Sequence, residues 1–562
     1  MTERPDRTGR PRHRRTLTLA TLALVLLVVS AGCLGSMGGA SVDTEIQFRE
    51  STESSGLDYR TDGGGAGNGD DGIYVADYDN DGWQDVLAVG GERPALFHNT
   101  GGEFARVDGF PEFGDAVKGA LFVDYDGDGW EDLLVLRSHA EPVLLHNDDG
   151  VFEQSGTDLG NLTYPMGATA ADYDRDGDAD ILVYQSGDWV DRKPEGYFSL
   201  YQFVDEDNGN QNVLYENTDD GFERVEDSGL GAADRWSLAA SFVDLNDDGL
   251  PDVHVANDYN TDAVYLNQGD GRFEQRVLRG NTSRNGMSSE IADVNGDGRQ
   301  DVFTTNIYLP LDEVEDDERH ERLRLLFGNV IKSGRTKGNT LMLNDGSGNL
   351  TDRAVAYGVR QGGWGWAASL TDLDNDGDRD LIHATQYVTQ INPDDPHYTY
   401  PMLFEREGES FESLDASERN LTEHDGRGLV TLDYDRDGDR DVIVAPYDGT
   451  VTVYENVGVG ADANSIAFRV VDDAGSTVYG AEVTATTPDG ETVVQQTVQS
   501  DFLSQESRVT HLGLGSRERV DLTVTWPDGE ERTYEDVAAD QQVRLTRDGV
   551  ETIVDYGTNE SN

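Results

Sequence analysis

The 562-residue sequence predicts an all-β fold, a seven-bladed β-propeller followed by a small C-terminal β domain. Three observations predict it: a nine-residue acidic motif written seven times, a four-strand pattern around most copies, and a change of texture into short alternating strands after the last copy. Units of roughly 40–50 residues that each supply four short strands are the signature of propeller blades.

The acidic motif opens the argument for each unit. It carries carboxylate or amide oxygens at positions 1, 3 and 5, Gly at 6 and Asp at 9. The candidate ligands are Asp77, Asp79, Asp81 and Asp85 in DYDNDGWQD, Asp124, Asp126, Asp128 and Asp132 in DYDGDGWED, and Asp172, Asp174, Asp176 and Asp180 in DYDRDGDAD. They continue with Asp244, Asn246, Asp248 and Asp252 in DLNDDGLPD, and Asp293, Asn295, Asp297 and Asp301 in DVNGDGRQD. The last two sets are Asp372, Asp374, Asp376 and Asp380 in DLDNDGDRD, and Asp433, Asp435, Asp437 and Asp441 in DYDRDGDRD. Alternate oxygens can turn inward around a hard cation, the Gly permits the bend, and the final Asp closes the shell, as at the start of an EF-hand loop. One copy is an ordinary acidic turn. Seven in one frame predict up to seven Ca²⁺ sites, with calcium as structural cement on a rigid ring.

An apolar or small-residue run precedes each motif (GIYVADYD, ALFVDYD) and a β-rich run follows it (DVLAVGG, DLLVLRS), which reads as two strands joined by the acidic turn. A second hairpin follows in most units, marked by Asn, a polar turn and Phe: LFHNTGGEF, LLHNDDGVF, LYENTDDGF and VYLNQGDGRF. After the seventh motif only VIVAPY and VTVYENVG remain, so the last blade lacks an outer strand. Residues near 46–50 resemble an outer strand and are expected to complete it, which places the propeller over 46–460. An unpaired edge there would be an aggregation hazard.

These repeats resemble the FG-GAP/VCBS type of the integrin α-chain propeller, a resemblance that implies calcium in the loops. Residues 464–545 resemble the ASPIC/UnbV domain through Ser500-Asp-Phe-Leu-Ser-Gln505, His511-Leu-Gly-Leu-Gly515 and Val524-Thr-Trp-Pro-Asp-Gly529, with Asp501 and Asp528 standing where that family has Gly and Ser. Together the two modules resemble the cartilage acidic protein family over nearly all of the chain after residue 45. Short strands alternating with turns (FRVVD, EVTATT, VDLTVTW, QVRLT) give a small β domain from the residues alone, and 546–562 reads as a tail.

Net charge is −67, with Lys118, Lys193, Lys332 and Lys337 the only lysines. Self-repulsion at this density is relieved by strong salt, and the acidic, Lys-poor, Arg-retaining balance resembles proteins of a halophilic archaeon. It excludes nucleic acid as a partner. The first 32 residues differ in kind: six Arg against Glu3 and Asp6, then an apolar run short for a membrane span, ending in Ser-Ala-Gly-Cys33, with an ordinary signal peptide or an uncleaved anchor as the alternatives to a lipoprotein leader. This resembles a lipoprotein signal peptide over 1–32, with Cys33 as the lipidated residue, 33–45 as a linker, and the chain anchored to the outer face of the cytoplasmic membrane. Cys33 is the only cysteine, so there is no internal disulfide. Monomeric behaviour is expected.

Strand direction alternates, so the acidic loops lie on one face of the ring and the loops after second strands on the other. Long insertions at 185–212, 307–340 and 386–401 rise from that second face, which also collects Trp189, Tyr197, Tyr259, Tyr308, Tyr387, Tyr398 and Tyr447. The candidate ligand-binding residues there are Trp236, Tyr259, Asp258, Arg235, Trp364 and Trp366, with Asn257 and Arg284 as polar companions; packing between blades or in the axial channel is the competing role for the aromatics. His254 and His383, on second strands, read as packed rather than catalytic. The stretch 311–331 reads as a short amphipathic helix. No Ser-His-Asp order, nucleophile elbow, zinc spacing or phosphate loop is present. The sequence therefore points to a non-enzymatic, calcium-binding surface protein that holds a glycan or protein ligand. A propeller-based polysaccharide lyase or hydrolase and a structural envelope component are the alternatives.

Overall fold

The structure is a computed structural model that describes residues 45–556 except 64–70, 115–116, 191–192, 195–208, 219–220, 232–234, 277, 279–282, 309–336, 387–399, 461–462, 488–489 and 496–499. The leader with Cys33, the 311–331 stretch, Tyr197, Tyr387 and Tyr398 lie outside the described residues. The described chain is almost entirely strand, with one four-residue helix at Thr52–Ser55. No described helix is long and apolar enough to cross a membrane.

Each acidic motif joins the first and second of four antiparallel strands in one sheet, and the first of these sheets carries two further strands. The second sheet is typical: Val117–Val123, Asp132–Arg137, Val143–Asp148 and Val151–Gln154, hydrogen-bonded in chain order. Burial falls steadily from first strand to fourth. Val117–Val123 is buried at every residue, whereas Val151–Gln154 has no buried one. The first strands pack on one another in chain order, and Ile73–Ala76 of the first sheet touches both Val117–Val123 and Gly426–Leu432 of the seventh. Burial on both sides explains why these strands read as continuous apolar and small-residue runs, since neither face meets water.

The N-terminal strand Phe48–Glu50 pairs with Thr452–Asn456 as the outer strand of the seventh sheet, with Phe48 opposite Asn456. The sequence expectation for 46–50 is met, and Ile46 and Phe48 are both fully buried in the main apolar core.

A repeated hydrogen-bond tie joins successive sheets. The Asn of the third strand donates from its side chain to the carbonyl of motif position 2 in the sheet before it: Asn147 to Tyr78 O (2.7 Å), Asn217 to Tyr125 O (2.6 Å), Asn267 to Tyr173 O (2.8 Å) and Asn456 to Leu373 O (2.6 Å). Asn99 of the first sheet reaches Tyr434 O of the seventh (2.7 Å). This explains the Asn that the sequence shows in most units. Asn147 also donates to Glu131 O at 2.9 Å. Asn147→Ala strands two buried carbonyls and is expected to lower the unfolding free energy by about 2–3 kcal/mol, measurable by denaturant unfolding at fixed molar salt.

The C-terminal domain has two four-stranded sheets. Asn464–Val470 is flanked by Thr510–Gly515 and Gln541–Leu545, and Glu482–Thr487 by Gly490–Gln495 and Arg519–Thr525. Residues of both sheets, including Phe468, Leu512, Leu522 and Trp526, form one core. The stretch read from the sequence as a tail supplies a strand, Val550–Asp555, paired with Gln541–Leu545.

The two modules interlock. A tight finger, Ser500–Asp501 turning into Ser504–Gln505, leaves the C-terminal domain and joins the inner edge of the first sheet, with Ile73 opposite Ser504 and Tyr74 opposite Gln505 in parallel register. Phe502 and Leu503 are each 1% exposed among the first strands. The approach is close enough that a Cβ on Gly428 would lie 2.8 Å from Leu503 O. The C-terminal domain thus packs Phe502 and Leu503 among the first strands, in one core with Trp366 of the repeats.

Candidate functional site

The seven acidic loops share one hydrogen-bond scheme. The position-6 Gly, at φ between 82° and 106°, donates its N–H to one oxygen of the position-1 Asp, as in Gly82 to Asp77 (3.0 Å) and Gly377 to Asp372 (2.8 Å). Only a residue without Cβ takes that conformation at little cost. The position-9 Asp spends both oxygens on backbone amides: Asp132 accepts from Tyr125 N (3.0 Å) and Asn147 N (2.7 Å), and Asp441 from Tyr434 N (3.0 Å) and Asn456 N (2.8 Å). All seven loops repeat this, with Arg406 N in place of the Asn amide in the sixth. Position 9 therefore pins the turn to the third strand of its own sheet, a role invisible in the motif itself.

Carboxylate oxygens of the loops also converge, position 9 included. One ligand atom from each of Asp77, Asp79 and Asp81 lies within 4.8 Å of the others, and the same holds for Asp124, Asp126 and Asp128 and for Asp172, Asp174 and Asp180. Asp77 Oδ1, Asp172 Oδ1, Asp372 Oδ1 and Asp435 Oδ1 are buried with no hydrogen-bond partner. Burial, reinforced by neighbouring carboxylates, pushes Asp77 up to about 7 and Asp172 to about 6. Burial likewise raises Asp132 and Asp180 to about 8, against the opposing pull of their amide donors. A buried carboxylate that lacks a counter-charge is disfavoured as an anion, so the donor set fits a hard divalent cation that takes six to eight oxygens.

Two ligand candidates escape the motif. His98 Nδ1 lies 3.2 Å from both Asp79 and Asp85, and His146 Nδ1 lies 3.1 Å from Asp126 and 3.3 Å from Asp132. Both sit one residue before the third-strand Asn, at a position that is Glu216, Leu266 and Glu455 in other sheets, and only the fold brings it over the loop.

The C-terminal domain rests on the acidic loops. Arg469 Nη2 donates to Glu131 at 2.7 Å, and Arg508 Nη2 lies 3.1 Å from its second oxygen, all three largely buried. Trp526, Pro527 and Asp528 of the family motif line a cleft of about 720 Å³ against Asp124, Asp172 and Asp176.

The opposite face departs from the sequence expectation at three of its six residues, Trp236, Trp366 and Asp258, all of them buried. Trp236 is 1% exposed with Tyr259 edge-on above it at 5.6 Å, and Trp366 is 5% exposed between the Phe502 ring (4.6 Å) and the Arg427 guanidinium (4.5 Å). Large indoles beside small first-strand residues fill core volume, so neither offers a ring face to a ligand. Tyr259, Trp364 and Arg235 are half-buried at the rim. Tyr259 holds φ 58°, with its N–H donating to Asp258 Oδ1 (2.8 Å), and Asp258 in turn accepts from Asn285 Nδ2 (2.7 Å). Asn257 is buried and bonded to Ser237 and Thr261, and Arg235 donates to Thr261 O. His254 and His383 are buried, which lowers them to about 3 and about 4 and keeps both neutral at physiological pH.

Residues 473–552 match the family described as ASPIC and UnbV, and residues 77–135, 124–183 and 244–304 match the FG-GAP-like repeat. No curated protein matches the chain. Similar solved structures include BBS1N in complex with ARL6DN soaked with lead, at 8% identity and TM-score 0.41, covering 75% of this chain and 99% of that one. The mercury-soaked form gives 9% identity and TM-score 0.39, with 74% and 98% covered.

Proposed function

We propose that this chain, an FG-GAP-like repeat protein with a C-terminal ASPIC/UnbV domain, is a seven-bladed, calcium-stabilised propeller that binds a glycan or protein ligand outside the cell. Calcium would be held by the position-1, 3, 5 and 9 residues of each loop and would supply the charge that lets their buried carboxylates ionise together. Export and a lipid anchor at Cys33 are supported by the arginine-rich, apolar leader that ends in Ser-Ala-Gly-Cys.

The observation that carries the binding reading is Tyr259. A non-glycine residue at φ 58° is strained, and here Asp258, Asn285 and the buried Trp236 hold it at the rim remote from the acidic loops. Strain of this kind clusters at ligand-contacting positions, and Trp364 adds a second half-exposed ring. Tyr259→Ala and Trp364→Ala are each expected to weaken capture in a glycan array or surface-extract pulldown, in high salt with calcium, by about tenfold, as loss of an aromatic platform does. Unchanged capture by both variants would remove this face from consideration.

A further inference from the structure

The sixth loop differs from its siblings. At positions 1, 3 and 4 of the third loop Asp172 is half-buried and Asp174 and Arg175 are exposed, whereas their counterparts in the sixth, Asp372, Asp374 and Asn375, are 1%, 4% and 1% exposed. What covers them is the strand Thr510–Gly515 of the C-terminal domain. Gly513 N donates to Asp372 Oδ2 at 3.1 Å, the oxygen that also receives Gly377 N at 2.8 Å. Gly515 N donates to Asn375 O at 2.8 Å, and His511 Nε2 lies 2.7 Å from Asn375 Oδ1. Asp372 Oδ1 is left buried with no hydrogen-bond partner, and the like charges that bear most on it are Asp376 and Asp374 of the same loop. At the seventh loop Tyr556 hydrogen-bonds the position-1 Asp433, and Ser465 Oγ donates to Gly438 O at 2.8 Å.

We propose that the sixth and seventh loops are metal sites shared between the two modules, in which a bound divalent cation latches the C-terminal domain and its finger into the propeller. The proposal rests on the calcium reading of the loops and adds a consequence to it. With the cation present, Asp372 can give Oδ1 to the metal and Oδ2 to two amides at once. Without it, the buried Asp372 stands against Asp374 and Asp376 with Arg379 as an opposing charge beside it. The turn relaxes by opening to water, which withdraws Asp372 Oδ2 from Gly513 and Asn375 O from Gly515. The covering strand lies only a few residues beyond the finger, so its loosening reaches Phe502 and uncovers the propeller centre. The ligand class is a hard oxygen-seeking cation, and the partner it secures is this chain's own C-terminal domain.

The test is amide hydrogen exchange of the full chain at fixed molar salt, with calcium and with chelator. The expected result is exchange at least tenfold faster over 500–515 when calcium is removed. With calcium present, Asp372→Asn should reproduce that gain over 500–515, whereas Asp244→Asn in the exposed fourth loop should speed exchange only near its own loop. If chelation lowers the melting temperature but leaves 500–515 protected, the latch is overturned and the calcium reading stands. If the melt is also unchanged, both fall. The wild-type comparison needs no variant, so an Asp372→Asn chain that does not fold leaves the outcome readable.

Discussion

Chelating calcium at fixed molar salt is expected to lower the melting temperature by about 10 °C or more. At a tenfold excess of free calcium over the dissociation constant, each site stabilises by about 1.4 kcal/mol, so seven independent sites contribute about 10 kcal/mol. For a chain of this length that spans roughly 10–20 °C, extrapolating from about 2–4 °C per kcal/mol in domains of 150–250 residues. The effect should also depend on pH. In the metal-free protein Asp77, Asp252 and Asp301 are raised to about 7, and Asp132 and Asp180 to about 8. Carboxyls raised in the folded state favour the fold below their unfolded values, near pH 4, and that advantage is lost as pH rises through 7 to 8. The chelated chain should therefore melt higher at pH 5.5 than at pH 8. Calcium needs the ionised form, so the gap between its melting temperature and that of the chelated chain should widen from pH 5.5 to pH 8. Calorimetry at both pH values checks this, and a melt insensitive to chelator would overturn the calcium assignment.

Asp501→Ala is expected to be the most damaging single substitution outside the apolar core. The Asp501 carboxylate, 2% exposed at the tip of the finger, accepts from Ser289 N (3.1 Å), Ala368 N (2.6 Å) and Phe502 N (2.7 Å). Ser289 belongs to the fifth repeat unit and Ala368 to the sixth sheet, so one side chain ties the finger to two separate repeats. Removing it leaves three buried amides without an acceptor, at about 1–3 kcal/mol each, and a total loss of about 4 kcal/mol or more is expected from denaturant unfolding. Asp501→Asn keeps one acceptor oxygen and should lose about half as much. A loss below about 1 kcal/mol for the alanine variant would show that the finger is held by Phe502 and Leu503 packing alone.

The repeat architecture was legible because it is local. Asp at 1, 3, 5 and 9 with Gly at 6 encodes a turn between two strands wherever it occurs, and the apolar runs beside it encode strands by their composition. Even the pairing of Phe48–Glu50 with Thr452–Asn456, across some 400 residues, could be inferred, because the seventh unit was visibly one strand short. The third-strand Asn was visible as a recurrent residue but not as a tie, since its partner carbonyl lies in the preceding sheet. His98 and His146 were hidden for the same reason, being separated from their acidic loops by a full strand. Trp236 and Trp366 misled because an aromatic beside a loop has the same sequence signature whether it faces solvent or fills the space between first strands.

By itself, the sequence determined the all-β class, the repeat, the acidic loops and the presence of a second module, all of which follow from patterns that span fewer than about ten residues each. Only the tertiary structure decided where that second module sits. Its finger, with Asp501 at the tip, occupies the middle of the repeats, and its strand Thr510–Gly515 covers the sixth loop. Those contacts join residues more than 100 positions apart through single backbone amides and carboxylates. A backbone amide carries no side-chain signature, so no residue pattern announces the position that it will meet.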